Sequence, residues 1–109
     1  MGRNAGSLGP SSCLVGNDQR NDIKVEYGIH TNVAASDTVT TSTLSIVLGV
    51  VATPQSDPAA TASVAFCSCD VGDQAGTPAA GAFLLKSWEA DGTVATSFGE
   101  TINWLAWGY

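Results

Sequence analysis

Few residues in this chain have the chemistry that catalysis requires. The one histidine, His30, lies in a strand-like segment, and its nearest acids in the sequence, Glu26 and Asp37, belong to no catalytic motif. General acid–base catalysis needs a base held beside an orienting acid and a reacting group. The many serines could supply a nucleophile, but the sequence lacks the Gly-x-Ser-x-Gly turn of the α/β-hydrolases. We therefore predict no catalytic residue and no enzymatic activity, with His30 as an exposed or sheet-edge structural residue.

Carboxylate pairs are the next candidates, in this case for calcium. Asp70 and Asp73 flank Gly72 in a connector rich in Gly and Pro. The twelve-residue calcium-loop pattern is absent, because its third position would be Gly72 rather than Asp or Asn. Turn formation by Asp and Gly is the favoured interpretation, with a calcium site as the alternative. Glu89 and Asp91, beside a predicted hairpin turn, are expected to be solvated. We predict no bound metal and no cofactor.

The three cysteines are Cys13, Cys67 and Cys69. Cys67 and Cys69 lie two apart in a predicted strand and therefore point to the same face, too far apart for an easy disulfide bridge. A zinc site needs four ligands, and the chain has one histidine and no second cysteine pair. These constraints predict small, buried, reduced thiols.

Four aromatic residues remain as binding candidates: Trp88, Trp104, Trp107 and Tyr109. An exposed aromatic ring can stack on a sugar, and the edge of Trp or Tyr adds a hydrogen bond. The favoured alternative is that these rings form the core and a seam between subunits. On that interpretation the strands that carry them pair and stack their rings together.

Strands must position these side chains. Residues 23–30 alternate strictly, which is typical of a strand with one buried face. We expect the apolar set to face inward and the polar set outward. The inward set is Ile23, Val25, Tyr27 and Ile29, and the outward set is Lys24, Glu26, Gly28 and His30.

Further strands follow after a turn at residues 34–38. A β-branched run at 38–43 passes into a near-continuous apolar run at 44–52, which indicates a strand covered on both faces. Strands are also predicted at 60–69, 82–90 and 101–109, and no segment has a convincing helical period. The sequence thus predicts an all-β fold, an antiparallel β-sandwich of about six strands at residues 23–109, with an extended N-terminal arm at residues 1–22.

The closing strand carries a tryptophan on each face. Ile102, Trp104 and Ala106 share one face, while Leu105 and Trp107 lie on the other. Such a strand is either central between two packed layers or exposes one face to another chain. We predict that Trp104 belongs to the sandwich core and that Trp107, with Tyr109 in its phase, meets another subunit.

Composition limits the partners. Charged residues make up only 13% of the chain, which favours an oligomer that covers part of its surface. The net charge of −6 and four scattered cations argue against nucleic acid as a partner. No apolar run approaches the roughly 20 residues of a membrane span, and no signal-peptide core follows Met1. We expect synthesis in the cytoplasm and no membrane partner.

Three blocks of the sequence carry a family resemblance. They run from Tyr27 to Val39, from Gly72 to Trp88 and from Ile102 to Gly108. Together they resemble a group of small structural proteins of tailed bacteriophages. The closing pattern, a Lys-x-Trp strand followed by a strand that ends in Trp-x-Ala-x-Gly, is similar to H-type lectin-like β-sandwich domains. The resemblance implies a six-stranded antiparallel sandwich that forms trimers on virions, as a head decoration protein or within fibres.

The leading functional prediction is a virion protein that decorates the capsid. It would bind itself as a homotrimer and contact the major capsid protein or other virion proteins. The alternative is a carbohydrate-binding module of a head or tail fibre, with host glycans as partners. The predicted interface residues are Leu8, Leu14, Val15, Trp88, Trp107 and Tyr109.

Overall fold

The computed structural model describes residues 23–57 and 62–109. These residues contain six strands and no helix, so the all-β prediction is confirmed. The strands are β1 (Lys24–Thr31), β2 (Ser36–Thr40), β3 (Val47–Pro54), β4 (Phe66–Asp70), β5 (Ala82–Trp88) and β6 (Thr101–Gly108). The predicted arm, residues 1–22, lies outside the described residues.

The strands form two antiparallel sheets of three strands each. Sheet I has the order β1-β6-β3, and sheet II has the order β2-β5-β4. The central strands, β6 and β5, therefore belong to different sheets. The expectation that the tryptophan-bearing strands pair with each other is wrong. Trp88 of β5 instead stacks on Phe66 of the neighbouring strand β4.

The core lies between the two central strands. Phe83 and Leu85 of β5 are fully buried, as are Ile102 and Ala106 of β6. The ring of Trp104 meets Phe83 edge to face, with 5.3 Å between the ring centres. Fully burying a large apolar side chain contributes about 1.5–3 kcal/mol, so this contact between the sheets is a main source of stability. The assignment of Trp104 to the core is confirmed.

Strand β1 has the opposite orientation to the one predicted. Its apolar side chains point away from sheet II, with Tyr27 80% and Ile29 67% exposed. The inner side carries Gly28, because the indole of Trp104 occupies the space above that residue. A Cβ atom at Gly28 would lie 2.6 Å from Cζ2 of Trp104. Alternation shows that β1 has two different faces, but it does not show which of them packs inward.

The apolar run at 44–52 is not one strand covered on both faces. Strand β2 ends at Thr40, and β3 begins at Val47 in the opposite sheet. Side-chain hydrogen bonds hold the intervening turn: the Thr41 hydroxyl lies 2.7 Å from the Gly81 carbonyl oxygen, and the Glu26 carboxylate accepts the Ser42 N–H at 2.8 Å. Hydropathy does not reveal such bonds. β3 is an edge strand of sheet I, and its outer face is open.

The amide of Gln74 fixes the long connector between β4 and β5. Its oxygen accepts the N–H groups of Val47 at 2.8 Å and Gly81 at 3.0 Å. Its nitrogen donates to the carbonyls of Val71 at 2.6 Å and Ala82 at 2.9 Å. The buried amide thus uses both of its donors and two acceptor positions. One side chain ties the connector to the first residues of β3 and β5.

Candidate functional site

Apolar side chains cover the outer face of sheet I. The strand registers arrange them in three cross-strand rows. The rows are Val25–Trp107–Gly49, Tyr27–Leu105–Val51 and Ile29–Asn103–Thr53. We call these nine positions the open face. None of the nine is charged, so this surface suits an apolar partner better than an ionic ligand.

The two tryptophans of β6 lie on opposite faces of sheet I, as predicted. Trp104 is 8% exposed on the inner side, whereas Trp107 is 36% exposed on the open face. Trp107 is partly covered because its indole lies over Gly49 of β3. A Cβ atom at Gly49 would overlap the six-membered ring of that indole. Glycine at this position lets the ring pack against the backbone of an edge strand.

A groove runs along the open face above β6. It has a volume of about 610 Å³. Tyr27 and Ile29 of β1 form one wall, and Val51 of β3 forms part of the other. Asn103 and Leu105 line the groove between these walls. The walls differ in height, because β1 contributes a protruding tyrosine and β3 a smaller valine.

Tyr109 lies just beyond the end of β6 and is 39% exposed. The backbone of Tyr109 is fixed, since its carbonyl oxygen accepts the N–H groups of Ser45 at 2.8 Å and Ile46 at 2.9 Å. Trp107 and Tyr109 are thus both available at the surface, and their role in an interface stays a prediction. The other predicted contacts, Leu8, Leu14 and Val15, lie outside the described residues.

Trp88 belongs to a separate surface, the outer side of sheet II. Its indole N–H donates to the Ser68 hydroxyl at 2.9 Å, and its ring stacks on Phe66 with centres 6.2 Å apart. The ammonium of Lys86 lies 5.1 Å from the ring centre, a cation–π distance. We call Phe66, Ser68, Lys86 and Trp88 the Trp88 patch. A small pocket of about 130 Å³ adjoins it, lined partly by Lys86, Ser68 and Asp70.

His30 and Asp37 form a pair that the sequence does not predict. Nε2 of His30 lies 2.8 Å from Oδ2 of Asp37, which also accepts the N–H of Val33 at 3.0 Å. His30 lies on the inner side of β1 rather than on the predicted outward side. The pair joins β1 of sheet I to β2 of sheet II. This contact supports a structural role for the histidine.

The aspartates of the long connector form turns, as the favoured interpretation predicts. Asp70 accepts the N–H of Gly72 at 2.8 Å, and Asp73 accepts those of Ala75 and Gly76 at 3.0 and 2.9 Å. The hydrogen bonds from Ala75 and Gly76 hold the pKa of Asp73 below its usual value. Among residues 23–57 and 62–109, no group of three or more His, Cys, Asp or Glu side chains is placed to hold a metal ion.

The two acids after β5 differ from each other. Asp91 is exposed as predicted, and it accepts the N–H and hydroxyl of Thr93 at 3.0 and 2.7 Å. The prediction that Glu89 is solvated is wrong, because this residue is 8% exposed. Its carboxylate accepts the Thr96 hydroxyl at 2.8 Å, and its N–H donates to the Thr93 carbonyl. Glu89 thus organises the loop before β6.

The two described cysteines are free and half-buried on the inner side of β4. Burial raises the pKa of Cys69 to about 11, helped by the neighbouring Cys67. Burial also raises the pKa of Cys67, opposed in part by Ser87 across the ladder. Both groups therefore stay protonated near neutral pH. The prediction that these thiols are buried is thus met only in part, their reduced state stays a prediction, and Cys13 lies outside the described residues.

Within the described ranges, no helix is long and apolar enough to cross a membrane. Comparison with family models, with curated proteins and with solved structures finds no match to the chain. The family resemblance carried by the three sequence blocks therefore stays a prediction, and the geometry of the two outer faces must support any functional proposal.

Proposed function

We propose that this chain is a bacteriophage structural protein that decorates the capsid as an oligomer. The open face carries the assembly part of this proposal. Monomeric soluble proteins rarely expose a contiguous apolar patch of more than a few hundred Å², and larger patches mark interaction sites. Here three neighbouring strands together present six exposed large apolar residues: Val25, Tyr27, Ile29, Val51, Leu105 and Trp107.

The nature of the contacts supports a structural role over a catalytic one. Three polar side chains of the described residues make hydrogen bonds within the chain. Glu26 holds a turn, Gln74 holds a connector, and Asp37 holds the imidazole of His30. Such groups hold the backbone in place and are not free for substrate chemistry. The resemblance to small phage proteins supplies the biological setting, the surface of a virion.

The N-terminal segment has a separate part in the proposal. Residues 1–22 are rich in Gly, Ser and Asn, and they directly precede β1, an edge strand of sheet I. A segment of this composition can add contact area on a neighbouring capsid subunit. The domain would then supply oligomerisation, and the segment would supply reach across the capsid.

The direct test is to locate the protein on particles. An antibody raised against the purified chain should label the heads of virions from the source of the gene in immunogold micrographs. Purified chain should also co-sediment with heads that lack it, and deletion of residues 1–22 should weaken this binding while leaving the domain folded. Labelling of tail fibres alone, or of no particle, would contradict decoration of the head.

The Trp88 patch favours a second candidate, a carbohydrate-binding module. An aromatic ring flanked by hydroxyl and charged groups can stack on a sugar and hydrogen-bond its hydroxyls. If this function is correct, host glycans should quench the tryptophan fluorescence, and Trp88→Ala should abolish binding while Trp107→Ala retains it. The absence of any signal across a broad glycan array would contradict this candidate.

A further inference from the structure

We propose that the open face binds the open face of a second copy of this chain, through a two-fold axis parallel to β6. This inference deepens the proposed function, because it names the partner of the surface on which that function rests. It replaces the homotrimer that the family resemblance implies with a pair of chains. Four features of the open face support it: its charge, its size, its shape and the position of its one amide.

Charge identifies this face as one on which two identical chains can meet. Each chain carries a net charge of −6, so two copies repel each other over most orientations. The nine positions of the open face include no charged residue. The outer side of sheet II, in contrast, carries Lys86 and Asp70. When two copies pair through the open face, its nine positions therefore bring no charged side chain into the contact.

The outer side of sheet I, taken over the full length of its strands, approaches the size of the smallest specific contacts. Strands of eight residues are about 26 Å long, and three of them are about 14 Å wide, which gives roughly 360 Å² per copy on a flat plane. Side-chain relief increases this area, so a pair approaches the roughly 1,000 Å² total at which specific interfaces begin. Aromatic residues, enriched in the centres of interfaces, occupy two of the nine positions, Tyr27 and Trp107.

The shape of the face favours a two-fold axis that runs along β6. The β1 side is tall, with Tyr27 and Ile29, whereas Val51 and Thr53 make the β3 side low. In the first row the Trp107 indole covers Gly49. Rotation by a half-turn about an axis parallel to β6 exchanges the β1 side and the β3 side. Each cross-strand row then lies opposite the same row of the partner. The tall side of each copy then lies over the low side of the other. A rotation about an axis across the strands would instead set tall side against tall side.

The same axis gives Asn103 a hydrogen-bonding partner. Asn103 is exposed in the third row, between Ile29 and Thr53, and it lies on the central strand. Under this rotation β6 lies over the partner's β6, so each amide faces the partner's Asn103. An amide carries both donors and acceptors and can therefore bond its own twin. A buried pair of this kind fixes the register of an otherwise apolar contact.

The first measurement is the mass of the purified full-length chain by light scattering during size exclusion, with no capsid present. The proposal expects twice the chain mass at micromolar concentration. Because capsids play no part, this result is independent of whether the chain decorates heads. A monomer would overturn the pairing, and so would a mass of three chains.

Two charge variants test the register directly. Leu105 lies at the centre of the open face, where the two-fold axis brings it against the partner's Leu105. Leu105→Glu and Leu105→Lys should each raise the dissociation constant on the order of a hundredfold, because like charges then meet at the axis. Mixing the two variants in equal amounts should restore the pair. A mixture that stays monomeric would overturn the proposed axis.

Leu84→Glu is the matched control. Leu84 lies at the corresponding central position on the outer side of sheet II. The control should remain dimeric, and circular dichroism should show that all three variants keep the fold. If Leu84→Glu dissociates the pair while Leu105→Glu leaves it intact, the contact lies on sheet II and the proposal is wrong.

Discussion

Trp104 and Gly28 face each other across β6 and β1, and the indole fills the space that a side chain at position 28 would occupy. This contact explains why β1 turns its polar set inward. A larger residue at this position would have to displace the ring from the core, where the ring meets Phe83 edge to face. Together with the inward contacts of Glu26 and His30, a residue with no side chain thus sets the orientation of a whole strand.

Gly28→Ala should therefore destabilise the fold. The new Cβ atom would lie 2.6 Å from the Trp104 ring, and overpacking of this kind costs about 1–3 kcal/mol. The free energy of unfolding in urea measures the loss. Gly76→Ala is the control, because a Cβ atom there would be 3.7 Å from the nearest side-chain atom. Equal stability of the two variants would show that the Trp104 ring can move away from the new Cβ atom at no cost in free energy.

The two tryptophans of β6 should respond differently to truncation. Trp104→Ala empties the core and should cost about 3–5 kcal/mol of unfolding free energy. Trp107→Ala removes a half-exposed ring, so it should weaken self-association more than it lowers the stability of the fold. Urea denaturation and light scattering separate the two effects. If the Trp107→Ala protein associates normally, this ring does not belong to the proposed interface.

Gln74→Leu should loosen the long connector. The substitution leaves the N–H groups of Val47 and Gly81 without their shared acceptor, at a cost of about 1–3 kcal/mol for an unsatisfied buried group. Urea denaturation measures the loss, and hydrogen exchange should show faster exchange of both amides. Gln55→Ala, at an exposed position, should leave stability nearly unchanged. Unchanged exchange at Val47 and Gly81 in Gln74→Leu would show that the amide is not their anchor.

Acid should weaken the contact between Glu26 and the turn after β2. Burial acts to raise the pKa of Glu26, but hydrogen bonds from Ser42 and Thr43 outweigh it and lower the pKa below 4.5. A carboxyl group whose pKa is lower in the folded state stabilises the fold at any pH above its pKa in the unfolded chain. This stabilisation is lost as the pH falls through the pKa of the folded state. Glu26→Gln should therefore reduce the acid dependence of the unfolding free energy. Identical acid profiles for the two proteins would contradict this linkage.

The sequence predicts the all-β class, which depends on strand periodicity. It also predicts which face of β6 is buried, because Trp104 shares that face with Ile102 and Ala106. It does not predict which face of β1 packs inward, because both sides of sheet I carry apolar residues. The contacts that decide it, such as the one between Gly28 and Trp104, form only in the folded chain. For the same reason the open face cannot be recognised from β1 alone. Its rows appear only when the register of β1, β6 and β3 is known.

The burial of Glu89 and the anchoring role of Gln74 are also invisible in the sequence. Both residues are polar, and polarity predicts a solvated loop. Their side chains are held instead by partners that only the folded chain brings into range, such as Val47 for Gln74 and Thr96 for Glu89. Loop polarity therefore predicts the location of a turn but not what holds it.

The topology of sheet I has a consequence for the order of folding. β1 and β3 pair with β6 and not with each other, so sheet I contains no hairpin and joins the first described strand to the last. Contacts between distant parts of a chain form slowly, because a large loop must close before they become favourable. In sheet II, β4 and β5 are linked by one connector held by Gln74. The β4–β5 pair of sheet II should therefore form early and offer Phe83 and Leu85 as a template. The apolar rows of sheet I would then come together late, which limits the time during which a half-folded chain can aggregate through them.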